Sequence, residues 1–428
     1  MTLKEIKPLE NRLNVFLEKL LEPMGRSERR HWAQLYVKGL LLDGERKSVE
    51  PMSVRLGVDV QSMSQFVGQS PWAVHEVQRR LASQVIEDLR DAEVWMIDET
   101  SFPKAGKESV GVARQYCGAL GKIANCQVAV SLHWSTNEQS CPVYWRLYLP
   151  EEWTKDPTRR QAAKVPEDIE YRTKNELALD LLDEALAADG PKLPVVADSA
   201  YGNDFSWREA LRARGLPYAV SVEPTSKVWT EDPNQIPLPA QKATGRPRQY
   251  TPLTDLPPAQ DLLTVAQSLP KTAWKKLTWR QGTKEPQRSR FARVQVWASH
   301  GWKRQEHPPR VAEWLIVEWP EDSKEPTDYW MAQLQAPNPS LLSLVSTARS
   351  RWRVELDYRE LKEELGLDHY EGRNWLGWHH HVTLVSMAFA FLRTEQNRSK
   401  KNGWALIAEN PQNTPNPLDP NGRKVSMV

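Results

Sequence analysis

Apolar positions along residues 1–90 recur at helical spacing. "LNVFLEKLLEPMG" predicts a helix that stops at Pro23-Met24-Gly25. "SERRHWAQLYVKGLLLDG" predicts a second, with Ser27 as its N-cap and Gly44 near its end. "VEPMSVRLGVDVQSMSQFVGQSPWAVHEVQRRLA" predicts a short helix, a break at Gly57, a second helix and a third after Ser70-Pro71. Short helices joined at a glycine are the pattern of a helix-turn-helix unit, whose second helix enters a DNA groove. Any small helical bundle would show the same spacing. The pattern changes at residue 92. "AEVWMIDET" predicts a buried strand ending on Asp98, and "RQYCGALGKIANCQVAVSLHW" a hairpin turning between Gly121 and Asn125. Residues 142–166 read as irregular. "KNELALDLLDEALAADG" predicts an amphipathic helix closed by Gly190, and "LPVVADSAYG" a second buried strand ending on Asp198. "DFSWREALRARG" adds a helix and "LPYAVSV" a strand. This order predicts one mixed sheet covered by helices, an α/β layer.

Beyond Glu223 prolines crowd residues 224–258, the composition of a linker or irregular arm. "KTAWKKLTWRQGTKEPQRSRFARVQVWASHGWKRQEHPPR" then alternates basic and aromatic residues in strand-like runs. The whole chain carries a net charge of only +2, yet between Lys271 and Arg310 eleven Lys or Arg face two acids. Clustered cations threaded with Trp274, Trp279, Trp297 and Trp302 predict a nucleic-acid surface. Arg288, Arg290 and Arg293 are its candidate phosphate contacts; a solvated basic face is the alternative. No apolar run is long enough to cross a membrane, and the N-terminus has acids and prolines where a secretory signal would be apolar. Three cysteines follow no metal spacing and suit a reducing cytosol, so a cytoplasmic location is expected. Adjacent His379, His380 and His381 cannot all face one ion and read as packing or DNA-backbone contacts.

Asp98 and Asp198 each close an apolar run, "VWMID" and "PVVAD". A lone carboxylate at such a place is costly to bury, and a divalent cation between two of them lowers that cost. Capping of the next helix is the plain alternative for each. "RWRVELDYRELKEELGLD" offers six more acids. At about 100° per residue, Arg351, Glu355, Tyr358 and Lys362 share one helix face. Asp357 and Glu363 lie away from it, and Glu360 and Glu364 are opposite. A basic-acid-basic stripe can hold a metal-bound carboxylate between two phosphate-binding cations; ordinary helix ion pairing would give the same spacing.

These residues resemble the DDE transposases of bacterial insertion sequences, whose catalytic core is RNase H-like. More narrowly they resemble the cut-and-paste branch marked by Tyr-x2-Arg-x3-Glu-x6-Lys. Arg351, Glu355 and Lys362 match its last three letters, while Ala348 stands at the tyrosine position. "IDETSFPKAG" matches the first acid and "ADSAYGND" the second, with the Tyr201-Gly202 pair usual in the branch. The resemblance covers about residues 30–395. It implies a helical DNA-binding domain over 1–90, an RNase H-like mixed sheet flanked by helices over 91–222, and a mostly β, basic, Trp-rich insertion over 223–347. The final core helices would span 348–395, with a flexible tail over 396–428. It also implies that Asp98, Asp198 and Glu355 hold two Mg²⁺ ions, for which Mn²⁺ would substitute. Arg351, Lys362 and Tyr201 would lie at the DNA, with Trp330 as the platform for a flipped base. The partners implied are the double-stranded terminal inverted repeats and target DNA, bound as a homodimer through a hairpin intermediate. A domesticated, non-catalytic DNA-binding protein and a nuclease without strand transfer are the competing readings.

Overall fold

A computed structural model of the chain describes residues 3–236, 256–281, 286–300 and 310–401. Five helices come first: α1 (Leu3–Leu21), α2 (Ser27–Leu41), α3 (Val49–Leu56), α4 (Val60–Gln69) and α5 (Val74–Asp88). Strands β1 (Ala92–Pro103), β2 (Ala113–Cys117), β3 (Lys122–Thr136) and β4 (Ser140–Leu147) follow. Helices α6 (Glu151–Thr154), α7 (Pro157–Ala162) and α8 (Lys174–Ala187) lead to β5 (Val195–Ala197). Next come α9 (Ser199–Gly202), α10 (Phe205–Ala213), β6 (Tyr218–Ser221), β7 (Lys227–Trp229), β8 (Gln260–Asp261) and α11 (Leu262–Ser268). Strands β9 (Lys275–Gln281), β10 (Pro286–Ala298), β11 (Glu313–Glu318) and β12 (Asp328–Gln333) precede α12 (Leu341–Arg349), α13 (Trp352–Glu363) and α14 (Trp375–Lys401).

The sheet runs in the order β2-β3-β1-β5-β6-β12-β11-β10-β7-β8, with β4 on β3 and β9 on β10. Antiparallel β1, β3 and β4 form a meander, and β5 and β6 join it in parallel. This is the mixed α/β layer that the strand order predicts. Its third meander strand, β4, runs from Ser140 into the stretch expected to be irregular. Pro142 falls opposite His133 beside a register shift, a place where a ladder tolerates a missing N–H. Within the expected insertion after residue 222, β12 pairs β6 directly and carries β11 and β10 onto the core sheet.

Gly57 adopts φ 66 between α3 and α4, a left-handed conformation that glycine takes without strain, and Asp59 caps α4 through the Ser62 N–H. Helix α4 buries Met63, Phe66 and Val67, and α14 packs on α2, α4 and α5. The three histidines of α14 are core residues. His380 stacks on Trp72 at 3.9 Å, Tyr36 Oη bonds His381 Nδ1 at 2.9 Å, and burial pushes all three down, to about 3, 3 and 4. Helix α14 also runs past residue 395 to Lys401, so the predicted tail starts as helix. No helix among the described residues is long and apolar enough to cross a membrane.

Candidate active site

Parallel pairing of β1 and β5 sets Trp95 against Val195 and Met96 against Val196. Two residues further along, Asp98 and Asp198 come side by side. Contrary to the expectation from sequence, Asp98 does not end its strand, which runs to Pro103. It sits mid-ladder opposite Ser131, because β3 is long enough to pair β1 as far as Pro103. The opening beside Asp98 arises because β5 stops at Ala197. Asp198 then caps α9, its Oδ1 accepting the Ala200 N–H at 3.0 Å. The capping alternative therefore holds for Asp198 and is compatible with a second role for its other oxygen.

Asp98 is 7% exposed. Its Oδ1 accepts the Glu99 N–H at 2.8 Å, and Arg351 Nη1 donates to its Oδ2 at 2.9 Å. Burial pushes its carboxyl up to about 7; Arg351 opposes that shift and the charge of Asp198 adds to it. Arg351 stands at the start of α13 and reaches both ways, its Nη2 donating to Glu355 Oε1 at 3.2 Å. The Glu355 side chain is 67% exposed. Lys362, two turns on, donates from Nζ to the Ser101 carbonyl at 3.0 Å, and burial lowers its pKa. Arg351, Glu355 and Lys362 thus line the side of α13 next to β1, as the helical phase predicts.

Oxygen-only carboxylates converging at the end of β5 suit a hard divalent cation. Among the described residues no three His, Cys, Asp or Glu stand close enough to hold a metal ion together. The guanidinium of Arg351 lies between Asp98 and Glu355 instead, neutralising two acids where a cation would otherwise do so. The donor set is all oxygen, the chemistry that a hard divalent ion takes.

A buried network behind this site escaped the sequence analysis. Ser131 Oγ bonds Tyr358 Oη at 2.7 Å and His133 Nε2 at 2.8 Å, and His133 Nδ1 meets Asp357 Oδ2 at 2.9 Å. Asp357, which helical phase set away from the working face, is 1% exposed, and Arg393 of α14 lies 3.4 Å from it. Helix α13 is therefore buried on two sides. Alternating Ser131, His133 and Ser135 within an apolar strand were the available signal.

Other candidates fall elsewhere. Tyr201 is 1% exposed, so its ring packs beneath the strand ends rather than facing a ligand. Its neighbour Gly202 must be glycine, because a side chain there would run into the Ser221 carbonyl. Trp330 is 4% exposed on β12, opposite Ser221 and under the Arg349 guanidinium, so its faces are covered. Arg290 donates to the Trp319 carbonyl at 3.0 Å. Arg293 donates to Pro339 O and Asn338 and lies 4.5 Å over Trp314. Arg288 is exposed. Trp274 packs edge-on against Trp319 and Trp279 against Phe291, so these rings serve the insertion's own core. Trp302 lies outside the described residues.

The family model described as "DDE superfamily endonuclease" matches residues 19–286, a stretch that contains Asp98 and Asp198 and ends before Glu355. The chain is 29% identical over 187 residues to a probable transposase for insertion sequence element IS701 from Microchaete diplosiphon. That alignment covers 43% of this chain and 46% of the relative, so it spans less than half of either protein.

Proposed function

This chain belongs to the DDE superfamily endonucleases, and from that premise we propose that it is the transposase of a bacterial insertion sequence. The superfamily generally uses divalent metal ions. Asp98, Asp198 and Glu355 would hold two Mg²⁺ ions, whose chemistry when bound is to activate a water or a 3′-hydroxyl and to stabilise the departing oxygen. The observation that carries this reading is the Asp98-Arg351-Glu355 chain, which ties mid-strand β1 to the start of α13 with Asp198 alongside.

The roles of the protein groups follow from their positions. Asp98, buried and immobile in the ladder, is a fixed anchor. Glu355, exposed on α13, can swing toward the aspartates when Arg351 releases it. Arg351 is the group that a scissile phosphate can draw away, exchanging two carboxylates for a phosphate in bidentate geometry. Lys362 stands on the same face to meet the next phosphate. The Ser131-His133-Asp357-Tyr358 network holds α13 in register with β1, so the helix-borne acid stays within reach of the strand-borne pair. Terminal inverted repeats and target DNA are the proposed duplexes. The freed 3′-hydroxyl would attack the opposite strand to close a hairpin before joining. Exposed Gln61, Ser64 and Gln65 on α4 are the side chains that a helix-turn-helix unit would present to bases.

Duplexes carrying the inverted repeats that flank the gene test this. Wild type should cut at the repeat ends with Mg²⁺, leaving hairpin-capped flanks on denaturing gels. Asp198→Asn and Glu355→Gln should still bind the duplex and lose cleavage by orders of magnitude, while Glu363→Gln keeps it. Cutting without hairpin or joined product would make the chain a nuclease. A wild-type rate in Glu355→Gln would remove that residue from the site.

A further inference from the structure

The β2-β3 hairpin carries large apolar side chains that the fold leaves open to solvent. Tyr116 is 61% exposed, Ile123 60% and Leu120, at the tip, 47%. Tyr116 and Ile123 are register partners, so they stand side by side on one face. Arg114, two residues before Tyr116, shares that face. Asn125, opposite Arg114, anchors it, its Nδ2 donating to the carbonyls of Lys104 at 2.8 Å and Gly106 at 2.7 Å.

Strand alternation identifies which face this is. Ile123, Asn125, Gln127, Ala129 and Ser131 point the same way along β3, and Ser131 is the ladder partner of Asp98 and bonds Tyr358 of α13. The apolar pair therefore opens on the same side of the sheet as the catalytic carboxylates. The hairpin curls back toward β1, where the Ala119 N–H donates to Ser101 Oγ at 3.0 Å and Cys117 Sγ lies 3.4 Å from the same oxygen, three residues along β1 from Asp98.

Charge selects the occupant. From Ser109 to Asn137 the chain holds Arg114 and Lys122 and no carboxylate. Both are exposed, and neither makes an ion pair with the described residues; Arg114 shares the face of Tyr116 and Ile123, while Lys122, opposite Cys117, stands on the other face. Apolar side chains beside an exposed cation, here Arg114, complement the minor groove, where such residues wedge between base steps while cations meet the phosphates.

Resting on the transposase reading, we propose that this hairpin is a second DNA contact, wedging Tyr116, Ile123 and Leu120 into the minor groove beside the bond held at Asp98. The test uses the full chain and a fluorescein-labelled duplex about four helical turns long that ends in the flanking inverted repeat. With p-benzoylphenylalanine in place of Tyr116, irradiation should give a protein-DNA adduct. The combined Tyr116→Ser, Leu120→Ser and Ile123→Ser variant, altered only at exposed positions, should bind roughly tenfold more weakly with an unchanged salt slope. Arg114→Ala should instead lower that slope by roughly one. Adducts only between protein copies would make the hairpin a self-association surface and overturn the proposal, as would no adduct or equal affinity in the serine variant. A wild-type chain that binds no duplex would overturn the transposase reading and this proposal with it.

Discussion

Replacing Asp98 with asparagine should stabilise the metal-free chain above neutral pH while abolishing cleavage. The folded chain holds the Asp98 carboxyl near about 7, against an ordinary 3.8, chiefly through burial. Below the ordinary value the group is neutral in both folded and unfolded chains, so it costs nothing. As pH rises through that value the unfolded chain ionises first and gains stability, so the fold loses stability until the folded group also ionises near 7; above that the deficit is constant. The gap between the two values corresponds to roughly 4 kcal/mol at full expression. An amide at residue 98 keeps an oxygen for Arg351 and carries no charge to desolvate. For a chain of this length the gain amounts to roughly 4 °C in Tm. Calorimetry in EDTA from about pH 4 to about pH 9 measures it, on the assumption of an ordinary carboxylate in the unfolded chain. Asp98→Asn should melt with wild type at the acid end and above it at the alkaline end. Equal melting throughout, or a gap that widens toward acid, would refute the assignment of Asp98 as a buried carboxylate held ready for a cation.

Three further outcomes are expected. Arg351→Ala removes the cation lodged between Asp98 and Glu355, so the DNA-free variant should bind Ca²⁺ more tightly than wild type by titration calorimetry, while phosphate engagement and cleavage are lost; unchanged Ca²⁺ affinity would show that the guanidinium does not compete with a metal. Asp357→Ala leaves His133 and Arg393 facing a buried gap and should cost about 3–5 kcal/mol in a denaturant melt, far more than Glu363→Ala on the solvent side. Arg288→Ala should lower the salt slope of duplex binding by about one phosphate contact, whereas Arg290→Ala, losing its bonds to the Trp319 loop, should act mainly on stability.

Much of the plan was legible because it is written in local patterns. Period-3.6 repeats marked the N-terminal helices, apolar runs marked both acid-bearing strands, and the hairpin was legible although it turns at Gly118–Gly121 rather than between Gly121 and Asn125. The spacing Arg351-Glu355-Lys362 alone set those three residues along one side of a helix. What a residue meets across the fold was another matter. Whether "VWMIDETSFP" stops at Asp98 depends on the length of β3, a partner beginning more than twenty residues later in the chain. Asp357 and Tyr358 follow Glu355 closely, yet α13 packs against both β4 and α14, so an acid set away from the working face became the most buried of the six. The arginines and tryptophans of the basic segment looked alike in sequence. Folding turned Trp279 inward onto Phe291 and spent Arg290 and Arg293 on backbone carbonyls, leaving Arg288 outside. Periodicity is a property of neighbours along the chain and survives without a partner, whereas burial and ion pairing are properties of two distant segments. The sequence alone therefore determined which side chains could form the acid-and-cation site, and the non-local packing of β1, β3, β5 and α13 decided which of them meet.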